Sequence, residues 1–147
     1  MTGDLLPIGE VARQAGVTTR TLRYYQELGL LDPAGKSPGG SRRYSALDVE
    51  RLRRILELRD VMGFDLERIS AILHAEDRLA ALKAEVQAGV SAERYREAVE
   101  EAIALNDGMR AQVQDKLGVL RGFLAELEEK AARYRQAAAE VEAGLRP

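Results

Sequence analysis

The segment Ile8–Leu30, IGEVARQAGVTTRTLRYYQELGL, constrains this chain more than any other. Ile8, Val11, Ala12 and Ala15 recur at i, i+3, i+4 and i+7, the spacing of one apolar helical face. Gly16 follows at once, the residue that tolerates the left-handed conformation in which a helix stops. Val17 is expected to pack inward. Thr18 suits the N-cap of a second helix, because its hydroxyl satisfies a backbone N–H left over from the first turn. That helix carries Thr19, Arg20, Thr21, Arg23, Tyr24 and Tyr25, while Leu22, Leu28 and Leu30 are expected to face the core. Small Ala12 lets the two helices approach, and Leu22 wedges between them. Two short helices about a tight turn form a helix-turn-helix, an arrangement that sets its second helix into a major groove.

The stretch from Asp32 to Ser41 holds two prolines and three glycines, which forbid helix and favour a hairpin tip. Leu30-Leu31 and Arg42-Arg43-Tyr44 are the expected strands on either side, and a hairpin placed after a helix-turn-helix is a wing. Ser45-Ala-Leu-Asp48 reads as a capping box. It opens a helix to about Val61, with Leu47, Leu52, Ile55 and Leu56 on its buried side. Gly63 breaks that helix. Asp65 caps a shorter one bearing Leu66, Ile69, Ile72 and Leu73.

From about Asp77 the chain turns rich in Ala, Glu, Arg, Leu and Gln. Gly89-Val90-Ser91 is a break, with Ser91 capping a helix through Tyr95, Val99 and Ile103. Asn106-Asp107-Gly108 is a second break or a kink. Beyond it Val113, Leu117, Leu120, Leu124, Leu127, Ala131, Tyr134, Ala138 and Val141 alternate by four and three residues, an a/d seam of about four heptads. One helix cannot bury such a seam on itself, and the simplest partner is the same helix of a second chain. The expected fold is mainly α. Residues 1–76 form a winged helix-turn-helix domain, 77–107 a helical connector and candidate sensing segment, and 108–147 a coiled-coil dimerisation helix.

Charge follows the same division. The 147 residues carry a formal net charge of −2, yet Val11–Tyr44 holds six Lys/Arg against two acids. A basic head on an acidic body suits a nucleic-acid binder with a separate assembly element. The absence of cysteine removes disulfides, thiolate metal sites and cysteine nucleophiles. The first residues lack a basic and then apolar leader, and no apolar run reaches membrane-spanning length, so the cytoplasm is the expected compartment. No nucleophile–base pair, phosphate loop or cofactor fingerprint is present, so no enzyme activity and no cofactor are expected. His74 is the only histidine. Alone it makes no metal site, and it is expected at a helix end.

Three linked motifs, IGEVARQAGVTTRTLRYYQELGLL, GGSRRYSALDVERLRRI and MGFDLERISAIL, resemble those of the MerR family of transcription regulators over roughly the first half of the chain. The resemblance implies a winged-helix head and a homodimer made through a long antiparallel coiled coil. It also implies double-stranded promoter DNA and RNA polymerase as partners, with distortion of an overlong promoter spacer as the mode of action. The chain departs from the family pattern in two respects. Ser41 stands where the wing motif carries an aromatic residue. The 147 residues hold none of the cysteines of metal and redox sensors and leave no room for the large C-terminal domain of drug and cobalamin sensors, so neither kind of sensing is expected. No effector is legible. An alternative reading is an architectural or recombination-directing binder that bends DNA without controlling transcription.

The candidate DNA-binding residues are Thr18, Thr19, Arg20, Thr21, Arg23, Tyr24 and Tyr25 of the second helix, Lys36, Arg42 and Arg43 of the wing, and Arg59 and Arg68 around the Gly63 break. Arginine either forks onto guanine or clamps phosphate, and the sequence does not distinguish these. Tyr25 lies three residues from both Leu22 and Leu28, so some burial is expected. Tyr44 suits a wing anchor. Arg51, Arg53 and Arg54 fall on the polar side of their helix and are expected to be solvated. Tyr95, Phe123 and Tyr134 are expected to fill helix–helix contacts.

Overall fold

The computed structural model describes residues 5–33, 35, 36 and 42–147, and the side chains of 35, 36 and 42 are outside that description. Along the chain run β1 (Leu6–Pro7), α1 (Ile8–Ala15), α2 (Thr19–Glu27), β2 (Gly35–Lys36), β3 (Arg42–Tyr44) and α3 (Ala46–Leu56). A π-helical turn (Glu57–Val61), α4 (Leu66–Ala88) and α5 (Ala92–Glu142) follow. The chain divides into two compact units, Met1–Ala81 and Leu82–Pro147.

In the first unit α1 ends at Gly16, whose φ of 70° is left-handed, and Val17 N–H returns to the Ala12 carbonyl at 3.0 Å. Thr18 caps α2 as expected, its Oγ1 accepting from Thr21 N–H at 3.1 Å. At the far end Gly29, with φ 74°, reverses the chain, and the N–H groups of Leu30 and Leu31 both turn back to the Tyr25 carbonyl at 2.9 and 3.3 Å. This closure corrects the expected wing. Because their amides serve the helix end, Leu30 and Leu31 form no ladder; both side chains enter the core. The first wing strand is Gly35–Lys36 instead, antiparallel to β3 with Gly35 opposite Arg43 and Lys36 opposite Arg42. β1, not anticipated, pairs on the other side of β3, Leu6 opposite Tyr44. Two residues are too few to show an alternating pattern. Of the expected hairpin tip, Asp32–Ser41, residues 34 and 37–41 lie outside the described residues.

The core of this unit gathers Val11, Ala12, Leu22, Tyr25, Leu30, Leu31, Tyr44, Leu52, Ile55, Leu58, Phe64, Ile69, Ile72 and Leu73. Each large side chain among them stabilises the fold by roughly 1.5–3 kcal/mol. Among the residues expected inward, Val17, Leu56 and Leu66 are half-buried, and two are exposed. Leu28 is 45% exposed, since Tyr25 takes the inward position on α2 and Leu30 fills the space past the reversal. Leu47 is 76% exposed, because the phase set by Leu52, Ile55 and Leu58 turns it outward.

The Ser45–Asp48 capping box forms as read, with Ser45 N–H donating to Asp48 Oδ2 at 2.7 Å and Asp48 N–H to Ser45 Oγ at 3.2 Å. The helix it opens does not stay α-helical to Val61; its last turn widens into the π form, Met62 N–H reaching the Glu57 carbonyl at 3.1 Å. Past Gly63, Asp65 Oδ1 accepts from Arg68 N–H at 2.9 Å and starts α4. That helix is not short. Nothing between Leu66 and Ala88 stops it, so it runs through the expected boundary at residue 76, and His74 sits on its exposed side rather than at an end.

Arg51 and Arg54 are not merely solvated. Arg51 donates to the Leu30 carbonyl at 2.6 Å and to Asp77 at 2.7 Å, and Arg54 pairs with Glu76 at 2.6 Å and Glu57 at 2.7 Å. These bonds tie α3 to α4 and to the chain leaving α2. Arg53 is exposed as expected.

In the second unit Gly89 (φ 103°) ends α4 and Ser91 caps α5, its Oγ accepting from Arg94 N–H at 3.1 Å. Arg94 then reaches across the turn to Glu85 at 2.6 and 3.0 Å. Helix α5 continues for 51 residues without interruption at Asn106–Gly108, so the expected boundary at 107 is not an element boundary. A glycine inside a helix costs about 1 kcal/mol, too little to break so long a run. The seam residues Val113, Leu117, Leu120, Leu124, Leu127, Tyr134 and Val141 stand between 40% and 69% exposed. Tyr95, Phe123 and Tyr134 are likewise exposed in the single chain.

Candidate nucleic-acid interface

α2 shows two chemically distinct faces. Leu22 and Tyr25 go inward, whereas Arg20, Thr21, Arg23, Tyr24 and Glu27 line one open concavity. Arg20 and Arg23 have no hydrogen-bond or ion-pair partner among the described residues, so their guanidinium donors face outward unspent. Arg13, by contrast, is held by Glu10 of its own helix, which raises the pKa of the guanidinium and lowers that of the carboxyl. The hydroxyls of Thr18 and Thr21 lie 3.0 Å apart, and that of Thr18 also caps α2. Thr19, half-buried, sits at the start of the same helix.

The two tyrosines part company. Tyr24 is 47% exposed beside Arg20 and Arg23, while Tyr25 is 2% exposed, with ring centroids 6.4 Å apart. The Tyr25 hydroxyl accepts from Arg59 Nη1 at 2.7 Å. The structure therefore brings Tyr24 to the open face and places Tyr25 in the core, where it reaches the surface only through Arg59. Arg59 also engages Asp60, and this contact raises its pKa while lowering that of Asp60. Arg68 lies half-exposed in the first turn of α4.

On the wing, Tyr44 is fully buried and its hydroxyl accepts from Gln26 Nε2, fastening β3 to α2. Arg43 is half-buried on the same strand. Lys36 and Arg42 sit on paired strands, and their side chains lie outside the described residues. Gln26 escaped the sequence reading. Its signal was its position four residues after Leu22, on the inward phase of α2, where a polar side chain needs a partner.

Among the described residues no cluster of three or more His, Cys, Asp or Glu could hold a metal ion, and no helix is long and apolar enough to cross a membrane. Two short helices about a left-handed glycine, followed by a paired hairpin anchored on the second of them, define a winged helix-turn-helix. A model of the MerR HTH family regulatory proteins matches residues 6–76. The uncharacterised HTH-type transcriptional regulator PA4778 of Pseudomonas aeruginosa is 37% identical over 111 residues, 73% of this chain and 82% of that protein. The chain belongs to the MerR family. The HTH-type transcriptional activator TipA of Streptomyces coelicolor is 48% identical over 66 residues, 45% of this chain, which spans only 26% of that relative's length. HiNmlR, a MerR family regulator lacking the sensor domain and solved bound to promoter DNA, shares the fold, with a TM-score of 0.56 at 24% identity over 92% of this chain and 94% of that one.

Proposed function

We propose that the chain is a homodimeric, cytoplasmic transcription regulator, not an enzyme, whose paired winged heads bind a pseudo-palindromic operator within a promoter spacer. By distorting that spacer the dimer controls RNA polymerase. The observation that carries this reading is the outward face of α2, where Arg20, Arg23 and Tyr24 stand together without protein partners among the described residues for the two guanidiniums. In a major groove, arginine meets guanine O6/N7 or phosphate, and the short Thr19 and Thr21 hydroxyls add hydrogen bonds. Arg42, Arg43 and Lys36 of the wing, with Arg59 and Arg68 near the helix break, extend the grip along the phosphate backbone.

Dimerisation rests on the uncovered seam of α5. A 51-residue helix is about 76 Å long at 1.5 Å per residue, and paired with a second copy it would space two heads for two half-sites. The crystallised HiNmlR complex with promoter DNA supports the same use of this fold.

The test is footprinting on the DNA beside the protein's own gene, joined to run-off transcription with purified polymerase. Protection inside a promoter spacer with changed transcript yield is expected. Protection of non-promoter DNA alone, with yield unchanged, would favour the architectural reading.

A further inference from the structure

We propose that Asp60 is a built-in competitor for the phosphate that Arg59 would grip, and that buried Tyr25 is the positioning residue that presents Arg59 to it. The inference rests on the DNA-binding reading above. It begins with the end of α3. Between Glu57 and Val61 the helix takes the π form, a local insertion that occurs often at functional sites. The turn sends Leu58 into the core and carries Arg59 to the side of α2.

There the guanidinium is held from two directions. Nη1 donates to the Tyr25 hydroxyl at 2.7 Å, while Nε and Nη2 donate to Asp60 Oδ1 at 2.6 Å and Oδ2 at 3.1 Å. The second contact is the two-pronged arrangement that arginine also makes with phosphate. Asp60 is over half exposed and adjoins Arg59 in sequence, and it occupies the Nε/Nη2 edge of the guanidinium, one of the edges on which a nucleic-acid phosphate could fork. A phosphate taking that edge must displace or share the carboxylate, and one meeting the remaining Nη donors still faces its negative charge close by. Such a penalty is blind to base sequence and lowers affinity for every duplex alike. Exposed ion pairs are weak, so the effect is a moderate one.

Tyr25 acts differently. Its ring belongs to the core of the helix-turn-helix, so the phenol oxygen is a fixed point. Through it, the position of Arg59 is tied to the recognition helix rather than left to a long flexible side chain. Tyr25→Phe keeps the ring and removes only the tether.

The experiment titrates the full chain against a fluorescein-labelled random-sequence duplex by anisotropy across a salt series, with thermal melts of each variant. Asp60→Asn is expected to tighten binding by about two- to fivefold. Arg59→Ala should weaken binding and reduce the salt slope by about one counterion. Asp60→Asn placed on Arg59→Ala should then change nothing. Tyr25→Phe should weaken binding in native Arg59 and have no further effect on Arg59→Ala. Equal tightening by Asp60→Asn with and without Arg59 would reduce Asp60 to bulk charge and overturn the inference. So would a neutral Asp60→Asn in the native background. Should Tyr25→Phe melt early, the Asp60 cycle still decides. A native chain that binds no duplex at low salt would instead sink the DNA-binding reading itself, and this inference with it.

Discussion

The Arg54 guanidinium straddles the Glu76 carboxylate, with Nη2 at 2.6 Å from Oε1 and Nε at 3.1 and 3.3 Å from the two oxygens. The pair joins α3 to α4, and the bond to Glu76 raises the arginine pKa despite an opposing desolvation. Both side chains remain about one-third exposed, so solvent screens the attraction. Arg54→Ala is expected to destabilise the chain by about 1 kcal/mol, the upper range for exposed pairs with two-pronged geometry. Urea denaturation checks this, and a double-mutant cycle with Glu76→Gln should recover a coupling of the same sign.

The Ser45–Asp48 box starts the helix that carries Leu52, Ile55 and Leu58 into the core. Ser45→Ala removes an acceptor for one orphan amide and is expected to cost about 1 kcal/mol. The loss should appear as a lower melting temperature with DNA affinity unchanged at temperatures where the variant is folded.

The box is legible in the sequence because capping is local chemistry: one hydroxyl, one carboxylate, a fixed spacing. The same holds for Gly16 and Thr18, where the backbone demand and the residue meeting it are neighbours. What sequence missed was nonlocal. Leu30 and Leu31 resemble a strand by composition, and only the return of their amides to the Tyr25 carbonyl shows otherwise. Arg51 and Arg54 occupy the outward phase of an isolated helix, and apart from Glu57 beside Arg54 the acids that hold them, Asp77 and Glu76, come more than twenty residues later. Among the candidate contacts, Arg20, Arg23 and Tyr24 share one face by helical spacing alone. The separation of Tyr24 from Tyr25 needed the core to be seen.

Arg20 and Arg23 present unspent donors on the open face of α2, whereas Arg43 lies half-buried on the wing strand β3, which the proposed function sets along the phosphate backbone. Arg20→Ala and Arg23→Ala are expected to weaken operator binding and relax base preference, by about 1–3 kcal/mol for a residue forked onto guanine. Arg43→Ala should weaken operator and random duplex equally. Competition titrations on both duplexes separate the two. Equal losses for all three variants would remove direct base readout from α2.

Gly16 turns the helix-turn-helix at φ 70°, and among the described residues no atom beyond its two chain neighbours lies within 4 Å of a side-chain carbon added there. Space is therefore free and the backbone conformation alone sets the cost. Gly16→Ala is expected to destabilise by about 1 kcal/mol, the left-handed penalty of an ordinary residue. Gly16→Asn, which tolerates that conformation better, should lose less. Thermal melts that rank Asn below Ala would refute the argument.

Leu124 sits midway along the α5 seam and is 53% exposed in the single chain, while Val119, 68% exposed, lies off the seam. Covering Leu124 with a second α5 would stabilise each side by roughly 1.5–3 kcal/mol, and a glutamate there would bury a charge instead. Leu124→Glu is thus expected to shift sedimentation equilibrium from dimer to monomer. Val119→Glu, an equal change of charge on the same helix, should leave the dimer intact. Operator affinity should fall with the first variant and not the second, because separated heads lose the gain of binding two half-sites at once. A native chain that sediments as a monomer, or two variants that behave alike, would mean that the seam does not join copies of this chain.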